Sequence, residues 1–158
     1  MAFEKAYSYL SERGLADRVL RFTVSSATVE LAAAAVGCAP EHIAKSLTFM
    51  LPDGPVMIVC AGDGKIANPK YKAQFAAKAK MLTREEVSDL IGHEVGGVCP
   101  FGIKDGVKVY LDESLKRFET VYPACGDAQS AVKLTPDELF SASGALGWID
   151  VCALPAEA

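Results

Sequence analysis

The sequence predicts a mixed α/β fold in which strands and helices alternate irregularly. Two apolar segments, residues 46–51 and 55–61, flank Asp53-Gly54, a dipeptide typical of a β-hairpin turn. A helix-start signal follows at Asn68-Pro69, and another helix is indicated over residues 136–143. Because a hairpin joins neighbouring strands directly, this order differs from a regular βαβ succession and favours a mixed sheet flanked by helices.

The N-terminal elements follow from periodicity and capping residues. Residues 3–13 have the spacing of an amphipathic helix, and residues 19–24 alternate enough for a strand. Ser26 or Thr28 can cap an alanine-rich helix over residues 29–36 that ends at Gly37. Pro40 then begins a short helical turn that leads into the first strand of the hairpin.

The remaining elements are shorter. Asn68 is expected to cap a helix that has Pro69 at its first position, and Thr83 is expected to cap another that Gly92 ends. A helical turn is indicated at residues 112–117. Further strands are predicted at residues 107–111, 121–124, 131–134 and 148–151.

Length and composition are those of an ordinary globular domain. The 158 residues suit one domain, 1–158, long enough to bury roughly 70% of the surface of the unfolded chain. Hydrophobic residues make up 51% and charged residues 23%, and the apolar stretches fall well short of the ~20 residues of a membrane helix. Residues 1–14 lack a signal-peptide core, so we expect a cytoplasmic protein that does not bind a membrane.

Cysteine and histidine give no sign of a metal or cofactor. The five cysteines are widely separated and odd in number, which favours neither a CxxC metal site nor a disulfide framework. His42 and His93 belong to no metal-binding spacing, and His93 is expected to be solvent-facing or hydrogen-bonded. We therefore expect no metal and no cofactor.

The net charge of −4 argues against a protein that grips long nucleic acid, DNA included, over its whole surface. A basic segment nevertheless runs from residue 65 to residue 84 without a single acid. It could contact a few phosphates at one end of an RNA, or it could be a solvated helix face. Its basic residues are Lys65, Lys70, Lys72, Lys78, Lys80 and Arg84.

Lys45 lies where the first hairpin strand begins, next to a run of mainly large apolar residues. Burying its ammonium group requires an offsetting anion or a water-filled cleft. The alternative is a lysine whose charged end extends to solvent from the strand edge.

A turn-forming segment follows about fifty residues later. Gly96-Gly97-Val98-Cys99-Pro100-Phe101-Gly102 contains three glycines and a proline, which fix a sharply bent backbone. Such a segment can form one wall of a small pocket, with Val98, Cys99 and Phe101 as apolar surface and free N–H groups for a carbonyl or carboxylate. It can also be an ordinary tight connection between strands.

In order and spacing, these segments resemble the YbaK family of aminoacyl-tRNA deacylases, which also occurs as the editing insertion of bacterial prolyl-tRNA synthetases. The likeness covers nearly the whole chain and implies a barrel-like mixed sheet of about six or seven strands flanked by helices. The segments that carry it are residues 28–32, 43–47, 61–63, 96–102, 110–115 and 130–136.

The resemblance implies a site in which Lys45 contacts the terminal phosphate or sugar of the tRNA and the 96–102 segment holds the aminoacyl carbonyl. Lys45 would serve as a charge, or as a general base if burial lowered its pKa by ~3–5 units. Gly126, Asp127 and Ser130 would reach the same pocket, although they could equally form a capped turn.

Three further residues have open roles. Asp63 either orients the lysine or closes a turn, and Ser46 should point to the opposite face of a regular strand, so only one of Lys45 and Ser46 is expected to face the pocket. Cys99 either lines the pocket or is a nucleophile whose pKa is depressed by Lys45.

The leading hypothesis is a free-standing editing enzyme that hydrolyses mischarged aminoacyl-tRNA, with a small residue such as alanine or cysteine on tRNA for proline. Its partners would be the aminoacyl-tRNA acceptor end and prolyl-tRNA synthetase. The alternatives are a non-catalytic module that binds an aminoacyl or nucleotide end and docks on a synthetase, and a hydrolase that depends on Cys99.

Overall fold

A computed structural model describes residues 2–155 and contains one five-stranded mixed sheet in the order β6-β2-β3-β5-β8. Two two-stranded sheets, β1-β7 and β4-β9, lie beside it. The strands are β1 (Val19–Arg21), β2 (Ile43–Leu51), β3 (Gly54–Ala61), β4 (Lys65–Ile66), β5 (Lys108–Asp112), β6 (Tyr122–Pro123), β7 (Ser130–Val132), β8 (Trp148–Ile149) and β9 (Cys152–Ala153).

The helices flank the sheet and are mostly short. They are α1 (Ala2–Ser11), α2 (Val29–Val36), α3 (Asn68–Phe75), α4 (Arg84–Glu86) and α5 (Pro136–Ser143). A π-helical turn, Val87–Ile91, continues α4, and 3₁₀ turns occupy Ala16–Arg18, Pro40–His42 and Glu113–Arg117. None of the helices within residues 2–155 is long and apolar enough to cross a membrane.

The β2-β3 hairpin provides the two longest strands of the main sheet. Its register runs without a bulge from Leu51 opposite Gly54 to Ala44 opposite Ala61. On its other side, β3 pairs in parallel with β5, which in turn pairs in parallel with β8. The central strand β3 is therefore bonded along both edges, whereas β2 pairs with β6 only at Ile43 and Ala44.

The main sheet is covered on both faces, which explains why β3 reads as one apolar run. Met57 and Val59 belong to a core that also contains Leu10 of α1 and Leu139 of α5. Alternate residues of β3 belong to a second core on the opposite face, which includes Tyr71 of α3.

The predicted mixed α/β class is confirmed, and a strand is present in each of the seven predicted segments. The strand over residues 19–24 is shorter than expected and ends at Arg21. The two-residue strands β4 and β9 were not predicted, since two residues carry no periodicity.

Capping residues were predicted with partial success. The Thr28 hydroxyl accepts from the Leu31 N–H, and Thr83 forms a capping box with Glu86. Asn68 is not the cap of α3 but its first residue, because Ala67 occupies the cap position without a side-chain bond. Gly37 and Gly92 end their helices in the left-handed conformation, as expected.

Candidate functional site

A cleft of about 290 Å³ opens at a gap in the edge of β2. The pairing with β6 ends at Ala44, and the next contacts along this edge begin at Thr48, whose carbonyl accepts from the Leu82 N–H at 3.1 Å. The Met50 N–H then donates to the Lys80 carbonyl at 2.8 Å. The strand edge between these contacts is the floor of the cleft.

The walls of the cleft come from five parts of the chain that the fold brings together. They are the start of α2, strand β2, the region from residue 81 to residue 87, the start of the glycine segment, and residues around β6 and β7. The lining residues are Ser26, Thr28, Val29, Ala32, Ile43, Ala44, Lys45, Ser46, Leu47, Thr48, Met81, Leu82, Val87, Val95, Gly96, Val98, Tyr122, Ala124, Ser130 and Ala131.

Lys45 lines this cleft and is half-buried. Its Nζ donates to the Gly62 carbonyl oxygen at 3.4 Å, so a neutral acceptor holds the ammonium group near the end of the hairpin. The adjacent carboxylate of Asp63 is bound elsewhere, since the Arg117 guanidinium donates to both of its oxygens at 2.6 and 3.1 Å. That bidentate pair lowers the pKa of Asp63, with only a minor contribution from Lys45. The bonds of the Asp63 carboxylate therefore go to Arg117 and not to Lys45.

Ser46 also lines the cleft, which corrects the expectation that only one of the two neighbours could do so. The strand is regular, and its alternate residues do face opposite sides: Ala44 packs in one core and Leu47 in the other. Both Lys45 and Ser46 reach the same space because the cleft straddles the edge of β2 and does not lie over one face.

The glycine segment contributes its first residues to the cleft and anchors the rest in the core. Gly96 and Val98 line the cleft, whereas Pro100 and Phe101 are buried and outside its lining. Gly97 packs so closely on the 126–127 loop that a Cβ there would lie 2.5 Å from the Asp127 Cα. Gly102 has φ +67° and packs in the same way on the backbone of α1 near Lys5.

Cys99 is fully buried and does not line the cleft. Its Sγ lies 3.5 Å from the His93 Nε2 and 3.7 Å from the Phe101 carbonyl oxygen. Burial raises the pKa of the Cys99 thiol far above its usual value, the reverse of the depression that a nucleophile requires. Both sequence-based roles for Cys99, as pocket lining and as thiolate nucleophile, are therefore corrected.

His93 is buried and hydrogen-bonded, one of the two states expected for it. Its Nε2 donates to the Phe101 carbonyl oxygen at 2.7 Å, which fixes the tautomer and links the residues just before the glycine segment to the end of that segment. Burial lowers the pKa of His93. In the part of the chain that the structure describes, no group of three or more His, Cys, Asp or Glu side chains is arranged to hold a metal ion.

The 126–130 loop reaches the cleft through one residue. Ser130 lines the cleft, and its Oγ donates to Asp127 Oδ1 at 2.7 Å. Asp127 lies behind Ser130 and also accepts from the Gln129 N–H at 3.0 Å. Gly126 has φ +89° and packs on the first residues of α1, so it shapes the loop and does not line the cleft.

The predicted basic residues divide into two groups. Lys70 binds within the protein, donating to an Asp150 carboxylate oxygen at 3.0 Å and to the Cys152 carbonyl at 2.9 Å. The other five are exposed and form no ion pair with any of residues 2–155: Lys65, Lys72, Lys78, Lys80 and Arg84. Met81 lines the cleft between Lys80 and Arg84, so this part of the basic segment lies at the mouth of the cleft.

Several cleft residues were not predicted as site residues. Val29 and Ala32 come from α2, a helix that was predicted without any role in a site. Met81 and Val95 are large apolar residues at the mouth with 59% and 47% of their surface exposed. The sequence offered one signal for these two residues: Met81 follows Lys80 of the basic segment, and Val95 precedes Gly96 of the glycine segment.

The fold and the cleft together define a small α/β domain that places a lysine and a bent glycine segment around one apolar cavity. The model of the aminoacyl-tRNA editing domain matches residues 23–142 of this chain, and the chain belongs to that family. This is the family expected from the resemblance to YbaK proteins.

Two sequence relatives illustrate the range of the family. The chain is 48% identical over 153 residues to the uncharacterized protein YwhH of Bacillus subtilis, covering 96% of this chain and 98% of that protein. It is 33% identical over 131 residues to a proline–tRNA ligase of Halalkalibacterium halodurans, covering 82% of this chain. The chain spans only 22% of the length of that ligase.

Solved structures agree with this assignment. A candidate trans-editing enzyme for prolyl tRNA synthetase superposes with a TM-score of 0.87 at 29% identity, covering 96% of this chain and 97% of the other. The hypothetical protein APE2540 superposes with a TM-score of 0.84 at 28% identity, covering 94% and 99% of the two chains.

Proposed function

We propose that this protein is a trans-editing aminoacyl-tRNA deacylase that hydrolyses the ester of a mischarged tRNA. The substrate would carry a small amino acid, such as alanine or cysteine, on tRNA for proline. The observation that carries the proposal is that Lys45, Gly96 and Val98 line one cleft, although about fifty residues separate Lys45 from the other two.

The chemistry needs little beyond positioning, because an aminoacyl ester is already activated. Lys45 contacts the terminal phosphate or sugar and stabilises its charge, while N–H groups of the glycine segment other than that of Gly97, which donates to the Glu94 carbonyl, hold the aminoacyl carbonyl. Water, or a substrate group in its place, attacks the ester carbonyl carbon; the bond from that carbon to the ribose oxygen breaks, and the ribose leaves as a hydroxyl that takes up the proton lost by the attacking group. No side chain needs to become a covalent nucleophile in this scheme, which agrees with the burial of Cys99.

The size of the cleft favours a small acyl group. About 290 Å³, walled by Val29, Ala32 and Val87, accommodates a small side chain and part of the terminal ribose. Since one methylene changes binding in such a cavity by only ~1–3 kcal/mol, the cleft would separate similar small amino acids only weakly.

The basic segment would hold the remainder of the acceptor end. Lys80 and Arg84 are exposed on either side of Met81, which lines the cleft, and phosphates of the single-stranded end would pass there. The chain is similar to one part of a proline–tRNA ligase, and this similarity supports prolyl-tRNA synthetase as a further partner.

A deacylation screen over matched and mismatched aminoacyl-tRNAs tests this function. We expect hydrolysis of at least one mischarged tRNA and a loss of at least about 100-fold in Lys45→Ala, in line with the loss of a positioned charged group. Lys108→Ala is the matched control, because Lys108 pairs with Asp53 at the turn, at the opposite end of the hairpin from Lys45.

The same screen separates the alternatives. Tight binding of aminoacyl-tRNA without turnover would contradict the enzyme and support a binding module. Full activity in Lys45→Ala would contradict the role of Lys45. Cys99→Ser is expected to hydrolyse the substrate like the parent, and an inactive, folded Cys99→Ser protein would restore the cysteine-dependent hydrolase.

A further inference from the structure

Ser46 carries a buried polar atom that the fold itself does not use. Its Oγ is inaccessible to solvent and has no hydrogen-bond partner among residues 2–155. Such an unsatisfied hydroxyl destabilises a folded protein, so buried hydroxyls are nearly always bonded. The hydroxyl does not face the cleft in this structure, but Ser46 lines the cleft, and a change of its χ1 rotamer lets a ligand there supply the missing partner.

The main chain of Ser46 offers a second polar contact at the same place. The register between β2 and β3 has no bulge, so backbone polar groups of alternate β2 residues point to the same edge. The Thr48 carbonyl and the Met50 N–H bond to neighbours at the open edge, and Ser46 is two residues before Thr48. The Ser46 carbonyl therefore faces the gap that forms the cleft.

Ser130, which also lines the cleft, adds a third acceptor. Its Oγ donates its proton to Asp127 Oδ1 at 2.7 Å, which leaves only lone pairs for the cleft. The Asp127 carboxylate behind it adds negative charge, although Arg21 lies 3.4 Å from the other carboxylate oxygen. Lys45, the cationic residue of the lining, comes from the opposite face of β2.

We propose that Ser46 binds the α-ammonium group of the substrate's aminoacyl moiety, through its hydroxyl and its carbonyl and with Ser130 as a further acceptor. An ammonium group donates three hydrogen bonds and needs acceptors, and this placement keeps it away from the like charge of Lys45. The inference rests on the proposed deacylase function and fixes the orientation of the substrate: amino group towards Ser46 and ribose-phosphate towards Lys45. Ser46 is in this sense a positioning residue.

Alanyl-tRNA and propionyl-tRNA test the inference, because the two acyl groups have similar size and only the first carries an ammonium. We expect Ser46→Ala to lower kcat/KM for alanyl-tRNA by about 10- to 100-fold, the range of a hydrogen bond to a charged group, and to leave propionyl-tRNA unchanged. Ser46→Thr should restore selectivity for alanyl-tRNA. Ser143→Ala, which removes a buried serine of α5 outside the cleft lining, should change neither.

Thermal unfolding supplies a second measurement. Because the Ser46 hydroxyl has no partner to lose, Ser46→Ala should unfold at the same temperature as the parent or a higher one. Equal losses on both substrates, or a clear fall in the unfolding temperature, would overturn the ammonium site and leave the deacylase function intact. Failure of the parent protein to hydrolyse any aminoacyl-tRNA would overturn the function and the site with it.

Discussion

Lys45 and Ser46 are adjacent in the sequence and line the same cleft, although their side chains point to opposite faces of β2. In the middle of a sheet this would be impossible, because adjacent side chains point away from each other. At an edge with a gap in its pairing, both side chains and the backbone between them border the same space. An interruption in strand pairing thus gathers a cation, a hydroxyl and a carbonyl within two residues.

His93 makes the stability of the protein depend on pH. Burial lowers its pKa, and the bond from Nε2 to the Phe101 carbonyl opposes this shift without cancelling it. As pH falls below the unfolded-state value of about 6.5, the unfolded chain takes up the proton first. Stability should therefore be complete above about pH 7 and decrease until the folded-state pKa is reached.

Urea unfolding between pH 7.5 and pH 5.5 measures this effect. We expect a lower midpoint at the acid end for the parent and a flatter dependence for His93→Gln, whose amide can still donate to Phe101. Carboxylates with a lowered pKa, such as Asp63, change the stability only below about pH 4, so they do not contribute to the pH dependence between pH 7.5 and pH 5.5. Identical slopes for the two proteins would contradict the role given to His93.

The glycine segment forms one wall of the cleft because contacts with neighbouring elements fix its position. Gly97 packs on the backbone of Asp127, Gly102 packs on the backbone of α1, and His93, just before the segment, bonds to the Phe101 carbonyl. Gly96 and Val98 are thereby presented to the cleft. The segment belongs to the rigid frame of the site.

Gly97→Ala tests this packing. A Cβ at residue 97 would lie 2.5 Å from Asp127 Cα and 2.6 Å from Asp127 N, and backbone atoms cannot move aside cheaply. We expect a loss of about 1–3 kcal/mol in the free energy of unfolding, as for other overpacked sites, together with reduced deacylation. Gly147→Ala is the control, because no atom lies within 4 Å of a Cβ there and its change should stay within about 0.5 kcal/mol. Equal stability of the two variants would refute the close packing.

Most elements could be predicted because their signals are local. Thr28 and Gly37 delimit α2, and Asp53-Gly54 fixes the hairpin, without reference to distant residues. The site could be predicted only in part. Lys45 and Gly96 carried signals of their own, but the contribution of Val29 depends on how α2 packs beside β2.

The cleft at the sheet edge could not be predicted for the same reason. It depends on where β6 stops and where the 80–82 segment begins to pair, and both are tertiary contacts between distant segments. The burial of Cys99 is a similar case, because a glycine-rich sequence does not reveal which of its side chains turns inward.

On the scale of the whole molecule, charge is unevenly distributed. The chain has a net charge of −4, yet five cations between residue 65 and residue 84 are exposed and form no ion pair with residues 2–155. Such an arrangement attracts phosphates locally while the acidic remainder disfavours long nucleic acid.

The salt dependence of kcat/KM measures that local attraction. We expect log(kcat/KM) to fall linearly with log salt concentration, and Lys78→Gln and Lys80→Gln each to reduce the slope by about 0.7–0.9, the contribution of one phosphate contact. Lys108→Gln, at the hairpin turn, should keep the slope of the parent. Unchanged slopes in the first two variants would mean that these lysines are only a solvated surface.

We propose that the gap in the edge of β2 is the site where the aminoacyl end of the tRNA binds. Its most direct test is an NMR titration with an aminoacyl-adenosine analogue in which an amide replaces the ester, so that it binds without being hydrolysed. We predict the largest amide shift changes at Lys45, Ser46, Gly96 and Val98, with weaker binding by Lys45→Ala. Shift changes confined to other parts of the protein, with these four amides unperturbed, would contradict the account.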